Sequence, residues 1–174
     1  MRIIAGAWRG RLIAAPKTDA VRPTADRVRE AWMSIVHGSL PDARVLDLCA
    51  GSGALGLEAL SRGARWVDFV EDDPRTIRVL ESNVALLGAG ERCRVHKGDA
   101  VKFAESARVE PYEVAFADPP YRQGMAVALA KLWLAGPFAT IFGVEHEARL
   151  AMPDGGSPSD TRRYGDTAIT FYRL

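Results

Sequence analysis

From Arg44 onward the chain alternates short apolar runs with longer amphipathic segments, and no other feature restricts its fold as strongly. Residues 44–48, 66–71, 92–96, 113–117 and 140–145 read as buried strands, short and rich in apolar side chains. Between them, residues 53–62, 74–87, 100–107 and 125–134 carry helical spacing; Asp73-Pro74 opens the second of these segments and Gly88 stops it. A further helix runs to about Val36, with Thr24 or Asp26 as its cap and Val28, Trp32, Ile35 and Val36 as its apolar stripe. Residues 161–164 and 167–173 read as a closing hairpin around Gly165-Asp166, and residues 154–159 as a loop. Strands alternating with helices of this length build an α/β domain, a mainly parallel sheet covered on both faces. At 174 residues the chain suits one such domain with a sizeable core.

Sheets of this kind bind ligands at the carboxyl ends of their strands, so the residues just beyond each strand carry the chemistry. Asp118-Pro119-Pro120-Tyr121 follows the fourth strand. An acceptor carboxylate, a restrained Pro-Pro carbonyl and a stacking aromatic grip a flat molecule bearing an amino group, and a nucleobase is such a molecule. The same four residues also suit a plain proline-rich turn. Gly51-Ser52-Gly53-Ala54-Leu55-Gly56 satisfies G-x-G-x-x-G between a strand and a helix, where glycines allow a tight turn and close approach of a ligand. Glu71 stands twenty residues after Gly51, at the end of the second strand, placed to accept from ribose hydroxyls. These features fit a nicotinamide dinucleotide as well as S-adenosylmethionine (SAM).

Asp47, inside the first strand, helps to separate the two cofactors. A carboxylate there repels a pyrophosphate and attracts an ammonium or a sulfonium; it could instead brace the following helix. Asp99 is placed to accept from an adenine amino group, to cap the helix that follows, or to do both. Asp73 reads as the cap before Pro74, and Asp72 is less distinctive.

The net charge of +1 is unevenly spread. Residues 1–30 hold Arg2, Arg9, Arg11, Lys17, Arg22, Arg27 and Arg29 against Asp19, Asp26 and Glu30, so that this stretch is +4 and the remainder −3. A basic lobe on a mildly acidic body suits a polyanionic partner, with chance clustering on a solvated surface as the alternative. Residues 2–4 and 10–13 flank Gly6-Ala7-Trp8-Arg9 as a short hairpin presenting arginines and an indole. The expected division is a basic N-terminal arm over residues 1–22 and a catalytic domain over residues 23–174. Cys49 and Cys93 are isolated, and His37, His96 and His146 share no ligand spacing, so no metal is expected. No apolar run approaches the roughly 20 residues that span a bilayer. The start lacks the apolar stretch of a signal peptide, so a cytoplasmic protein without a membrane partner is expected. A monomer is the default state.

With Val45-Leu46-Asp47-Leu48-Cys49-Ala50-Gly51-Ser52-Gly53 and Asp118-Pro119-Pro120-Tyr121 in one chain, the sequence resembles the SAM-dependent amino-methyltransferases. These carry a [DNS]-P-P-[YFW] motif after the fourth strand. Arg2-Ile3-Ile4-Ala5-Gly6-x-Trp8-Arg9-Gly10-Arg11 and Arg22-Pro23-Thr24-x-Asp26-Arg27-Val28-Arg29-Glu30 narrow the likeness to the bacterial RsmD family, which methylates N2 of a guanine in small-subunit (16S) ribosomal RNA. The resemblance implies a Rossmann-like class I methyltransferase with an N-terminal hairpin extension. Its seven-stranded, mostly parallel sheet would run in the order 3-2-1-4-5-7-6, with the last strand antiparallel. Carried over by position, Asp47, Ala50, Gly51, Ser52 and Gly53 would hold the methionine part of SAM, Glu71 and Asp72 the ribose, and Asp99 with Ala100 the adenine. Thr24 would close over the cofactor. Asp118, Pro119, Pro120 and Tyr121 would form the catalytic motif, with Asp118 and Pro119 holding the target amine and Tyr121 stacking on the base. Arg2, Arg9, Arg11, Arg22 and Arg27 would meet RNA phosphates, and Trp8 would either stack on RNA or anchor the arm. A short arm is slight for selecting one guanine, which favours 16S rRNA within an assembling or assembled small subunit as the partner. A DNA adenine-N6 methyltransferase and a catalytically silent RNA-binding module that retains SAM stand as rivals. A nicotinamide reductase is disfavoured by Asp47 and the tetrapeptide.

Overall fold

The computed structural model describes residues 1–15, 23–107, 110–121, 124–155 and 160–174, and for residues 23–25 the backbone alone. The strands are β1 (Arg44–Leu48), β2 (Trp66–Glu71), β3 (Cys93–Lys97), β4 (Tyr112–Ala117), β5 (Ala139–Glu147), β6 (Asp160–Tyr164) and β7 (Thr167–Arg173). They form one sheet ordered β3-β2-β1-β4-β5-β7-β6, the order the resemblance implied. The first five are parallel, and β7 runs antiparallel to both of its neighbours. The helices are α1 (Pro23–Val36), α2 (Ala54–Ser61), α3 (Pro74–Leu87), α4 (Ala100–Ser106) and α5 (Met125–Ala135).

The period of two along each strand sorts its side chains between the two faces. Val45, Val67, Phe69, Val114, Phe116 and Phe171 point to the side covered by α1, α2 and α3. Leu46, Val70, Ala115, Ala117, Phe142 and Tyr172 point to the side covered by α4 and α5. Trp32 of α1 is fully buried and meets the edges of Phe116 and Phe171 at 5.3 and 5.4 Å. It passes so close to β5 that a side chain on Gly143 would stand 2.5 Å from the indole. Asp73 caps α3 by accepting from the Arg75 amide at 3.0 Å, and Gly88, in the left-handed region, ends it.

Two local expectations are corrected. α1 already includes Pro23, so neither Thr24 nor Asp26 caps it. Proline is preorganised for the first helical turn; Asp26 lies within that turn and pairs with Arg29 at 3.1 Å. The N-terminal hairpin is reduced to a single antiparallel bridge between Arg2 and Leu12, braced by Ile3 N–H on Arg11 O and Gly10 N–H on Ile3 O. Several of its other backbone donors go to the body. Ile4 and Ala5 donate to the buried Glu58 carboxylate at 2.8 and 2.9 Å, Ala7 to Ser61 O, and Ala14 to Asn83 Oδ1. Ile3 and Ile13 join the same core as α1 to α3, so residues 1–15 are built into the domain. The expected boundary after residue 22 lies outside the described residues.

Candidate active site

The parallel strands β1, β2, β4 and β5 deliver their last residues to one edge of the sheet. There a single cavity of about 880 Å³ is roofed by Met1, Val28, Arg29 and Trp32. Its walls divide into two halves of different construction.

The first half is the glycine turn between β1 and α2. Gly51 and Gly53 have φ of +57° and +81°, a region L side chains rarely adopt. A side chain on Gly51 would project into open space, while one on Gly53 would stand 2.3 Å from Leu80 Cδ1. Gly51 therefore faces the cavity and Gly53 faces the core, outside the cavity wall. The Glu71 carboxylate accepts from the Gly51, Asp72 and Asp73 amides at 2.9, 3.0 and 3.1 Å, tying the end of β2 to the turn. Asp47, almost fully buried, accepts from the Gly56 amide of α2 at 2.9 Å. Burial pushes its carboxyl well above the usual range, offset in part by that amide and reinforced by Asp118 and Glu71. Asp47 thus braces the helix and also presents negative potential to the cavity. Ala50, Ser52 and Asp72 line this half as expected, and Cys49 joins them in a left-handed backbone conformation. The Asp99 side chain caps α4 through the Lys102 amide at 2.9 Å and is not part of the wall, which takes Gly98 and Ala100 instead.

The second half begins with Asp118, one residue past β4. Its side chain is exposed at the cavity, and partial desolvation by the surrounding walls raises its carboxyl to about 6. Pro119 is buried and Pro120 exposed, and both line the cavity. Tyr121 is fixed by its hydroxyl, which donates to Glu145 Oε1 at 3.2 Å and meets Thr167 Oγ1 at 2.7 Å. Burial, with the neighbouring carboxylates Glu145 and Asp118, pushes that phenol up to about 12, so it stays a neutral donor at physiological pH. Glu145 from β5 and Thr167 from β7 were not among the sequence-derived site residues. Glu145 obeys the same strand-end rule as Asp118 and could have been found by it. Thr167 begins an antiparallel strand, and only the order β5-β7 brings it here.

The basic residues divide as well. Arg2, Arg9 and Arg27 are exposed, and Arg11, also exposed, donates to Leu86 O at 2.7 Å. Trp8 is half-buried against the core with the Arg92 guanidinium 5.4 Å over its ring, the anchoring role. Arg29, expected only as surface charge, is buried in the cavity roof and bonded to Arg2 O and Asp26. Arg22 and the Thr24 side chain lie outside the described residues.

A 3-2-1-4-5-7-6 sheet with its polar cleft at the carboxyl edge defines a class I methyltransferase fold. The model of the family described as conserved hypothetical protein 95 matches residues 1–173. Ribosomal RNA small subunit methyltransferase D of Escherichia coli K12 is 40% identical over 158 residues, covering 88% of this chain and 78% of that protein. The protein of the same name from Haemophilus influenzae is 34% identical over 182 residues, covering 100% of this chain and 92% of the relative. Among solved structures, a hypothetical protein of Thermus thermophilus matches with a TM-score of 0.85 at 32% identity, covering 100% of this chain and 99% of that one. This chain belongs to that family, the RsmD family of class I methyltransferases.

Proposed function

We propose that the chain transfers a methyl group from SAM to the exocyclic N2 of a guanine in small-subunit (16S) rRNA. The observation that carries this reading is the continuity of one cavity between the glycine turn and Asp118-Pro119-Pro120-Tyr121, with Asp47, Glu71 and Asp118 on its walls. The carboxylates of Asp47, Glu71 and Asp118 around one space repel one another, which adds to the burial that raises the Asp47 carboxyl. A cation relieves that repulsion and a pyrophosphate worsens it, so the wall fits SAM and does not fit a dinucleotide. Asp47, Ala50, Gly51 and Ser52 would hold its methionine part, Glu71 and Asp72 its ribose, and Gly98 with Ala100 would flank its adenine. When bound, SAM supplies an electrophilic methyl group on a sulfonium.

The protein's task is to make a poor nucleophile react. The lone pair of a guanine amino group is delocalised into the ring. Asp118 and the Pro119 carbonyl accept its two N–H bonds, drawing the nitrogen toward tetrahedral geometry and freeing the pair. Positive charge that develops on this nitrogen lies beside the Asp118 carboxylate, where preorganised opposite charge lowers the barrier most. The proton leaves to solvent after transfer, so no strong base is needed. The Tyr121 ring, pinned by its hydroxyl, offers a flat wall for a base turned out of its RNA context. The exposed Arg2, Arg9, Arg11 and Arg27 suit the RNA backbone. A monomer acting in the cytoplasm on an assembling small subunit is the working arrangement.

Labelled SAM offered with bulk RNA, DNA and partly assembled small subunits tests the reading. Label is expected on small-subunit rRNA with the wild type and lost with Asp118→Ala, while calorimetry still shows SAM binding to the variant. Undiminished turnover by Asp118→Ala, or label on DNA alone, would contradict it.

A further inference from the structure

Resting on that reading, we propose that Glu145 selects guanine by accepting the ring N1–H while Asp118 accepts from the adjacent N2 amine. The tetrapeptide alone suits adenine as well as guanine, so the choice between purines needs another group.

Three observations place Glu145 for the task. Strands β4 and β5 are parallel with Ala117 paired to Val144, so the next step along both brings Asp118 beside Glu145. Neighbouring strands lie about 4.8 Å apart, so the two side chains start from adjacent positions at the same edge of the sheet. Both residues line the same cavity, Glu145 half-buried in its wall. The Tyr121 hydroxyl holds Glu145 Oε1 at 3.2 Å and is itself held by Thr167 at 2.7 Å, so the carboxylate is oriented by β7 and by the stacking residue.

The chemistry then discriminates. Guanine presents N1–H and the N2 amine side by side, two donors against two carboxylates. Adenine and cytosine present an amine beside a ring nitrogen that carries a lone pair, which a carboxylate repels. Each carboxylate oxygen has room for two donors, so Glu145 can accept N1–H beside the bonds it already makes. A polar site made for a donor rejects a base lacking it, because the buried acceptor is then left without that bond. Glu145 takes no proton and forms no covalent bond; it chooses and orients the base.

The test uses 2-aminopurine, which keeps the N2 amine but carries a lone pair at N1. Small-subunit rRNA with guanine or 2-aminopurine at the mapped target position is offered to wild type, Glu145→Gln and Tyr121→Phe. Glu145→Gln keeps shape and an acceptor for the Tyr121 hydroxyl, while its amide can donate to a bare N1. The guanine to 2-aminopurine ratio of kcat/KM is expected to fall on the order of 10²-fold in Glu145→Gln. In Tyr121→Phe the ratio should fall less, by roughly tenfold or under, because Glu145 keeps its charge but loses the hydroxyl that orients it. A parallel fall on both bases in Glu145→Gln, to zero or otherwise, would overturn the proposal. Wild-type label on adenine instead of guanine would overturn the functional reading itself, a separate result from the same experiment.

Discussion

The two halves of the cavity are held in opposite ways. Around the glycine turn, the carboxylates of Asp47 and Glu71 are bonded to main-chain amides of Gly56, Gly51, Asp72 and Asp73. Around Asp118, the fixed contacts are between side chains from separate segments, Tyr121 after β4 with Glu145 of β5 and Thr167 of β7. The first half is continuous with the folding of β1, α2 and β2. The second hangs on side-chain contacts that tie the segment after β4 to β5 and β7. Changes in the first half should therefore damage stability along with binding, and changes in the second should damage chemistry while sparing stability.

The largest effect should come from Asp118. Replacing it by Ala is expected to lower methyl transfer by at least roughly 10²–10³-fold, the usual scale for losing one transition-state contact. Its carboxyl stands at about 6 in the folded protein against an ordinary value of 3.8, so ionising it costs the fold. At about pH 8, well above that value, the thermal midpoint of ligand-free Asp118→Ala should match or exceed that of the wild type. A large drop in the midpoint would erase the contrast between the halves. Gly53→Ala should do the reverse. At φ +81° with a buried Leu80 methyl 2.3 Å from the new carbon, it should cost about 1–3 kcal/mol. Thermal melts would show a lower midpoint, and calorimetry a weaker SAM site.

A smaller effect should appear with pH. Because the Asp118 carboxyl is raised, the folded protein binds more protons than the unfolded chain between the two values, and ligand-free stability falls as pH climbs through that window. A cation in the cavity favours the ionised form. SAM should bind more tightly as pH rises through about 6, releasing protons that calorimetry in buffers of different ionisation heat would count. A flat affinity over that range would mean that the cation sits apart from Asp118. Smallest of all is Arg9→Ala. It should leave stability within about 0.5 kcal/mol while lowering the salt slope of RNA binding by about one.

The same contrast explains what could be read from the chain alone. The glycine turn, Glu71 and the tetrapeptide are local patterns whose geometry is written within a few residues, and the alternating strands and helices announced the sheet and its edge. Asp99 was legible as a cap, and its carboxylate serves as one. Thr167 was missed because only the strand order β5-β7 brings it to the cavity wall, which no short window contains, whereas Glu145 was within reach of the strand-end rule. Residues 1–22 read as a separate basic arm because arginines dominate that stretch. Its backbone amides, invisible to composition, bind it to Glu58, Ser61 and Asn83. Arg29 reads as one more surface charge until the fold buries it beneath that arm.

The central claim is that one cavity joins a methyl donor to a guanine amine. Small-subunit rRNA treated with the protein and isotopically labelled SAM, digested to nucleosides and resolved by mass spectrometry, tests it most directly. The label is expected in N2-methylguanosine at a single position and absent with Asp118→Ala. Label in N6-methyladenosine, or equal labelling by the variant, would contradict it.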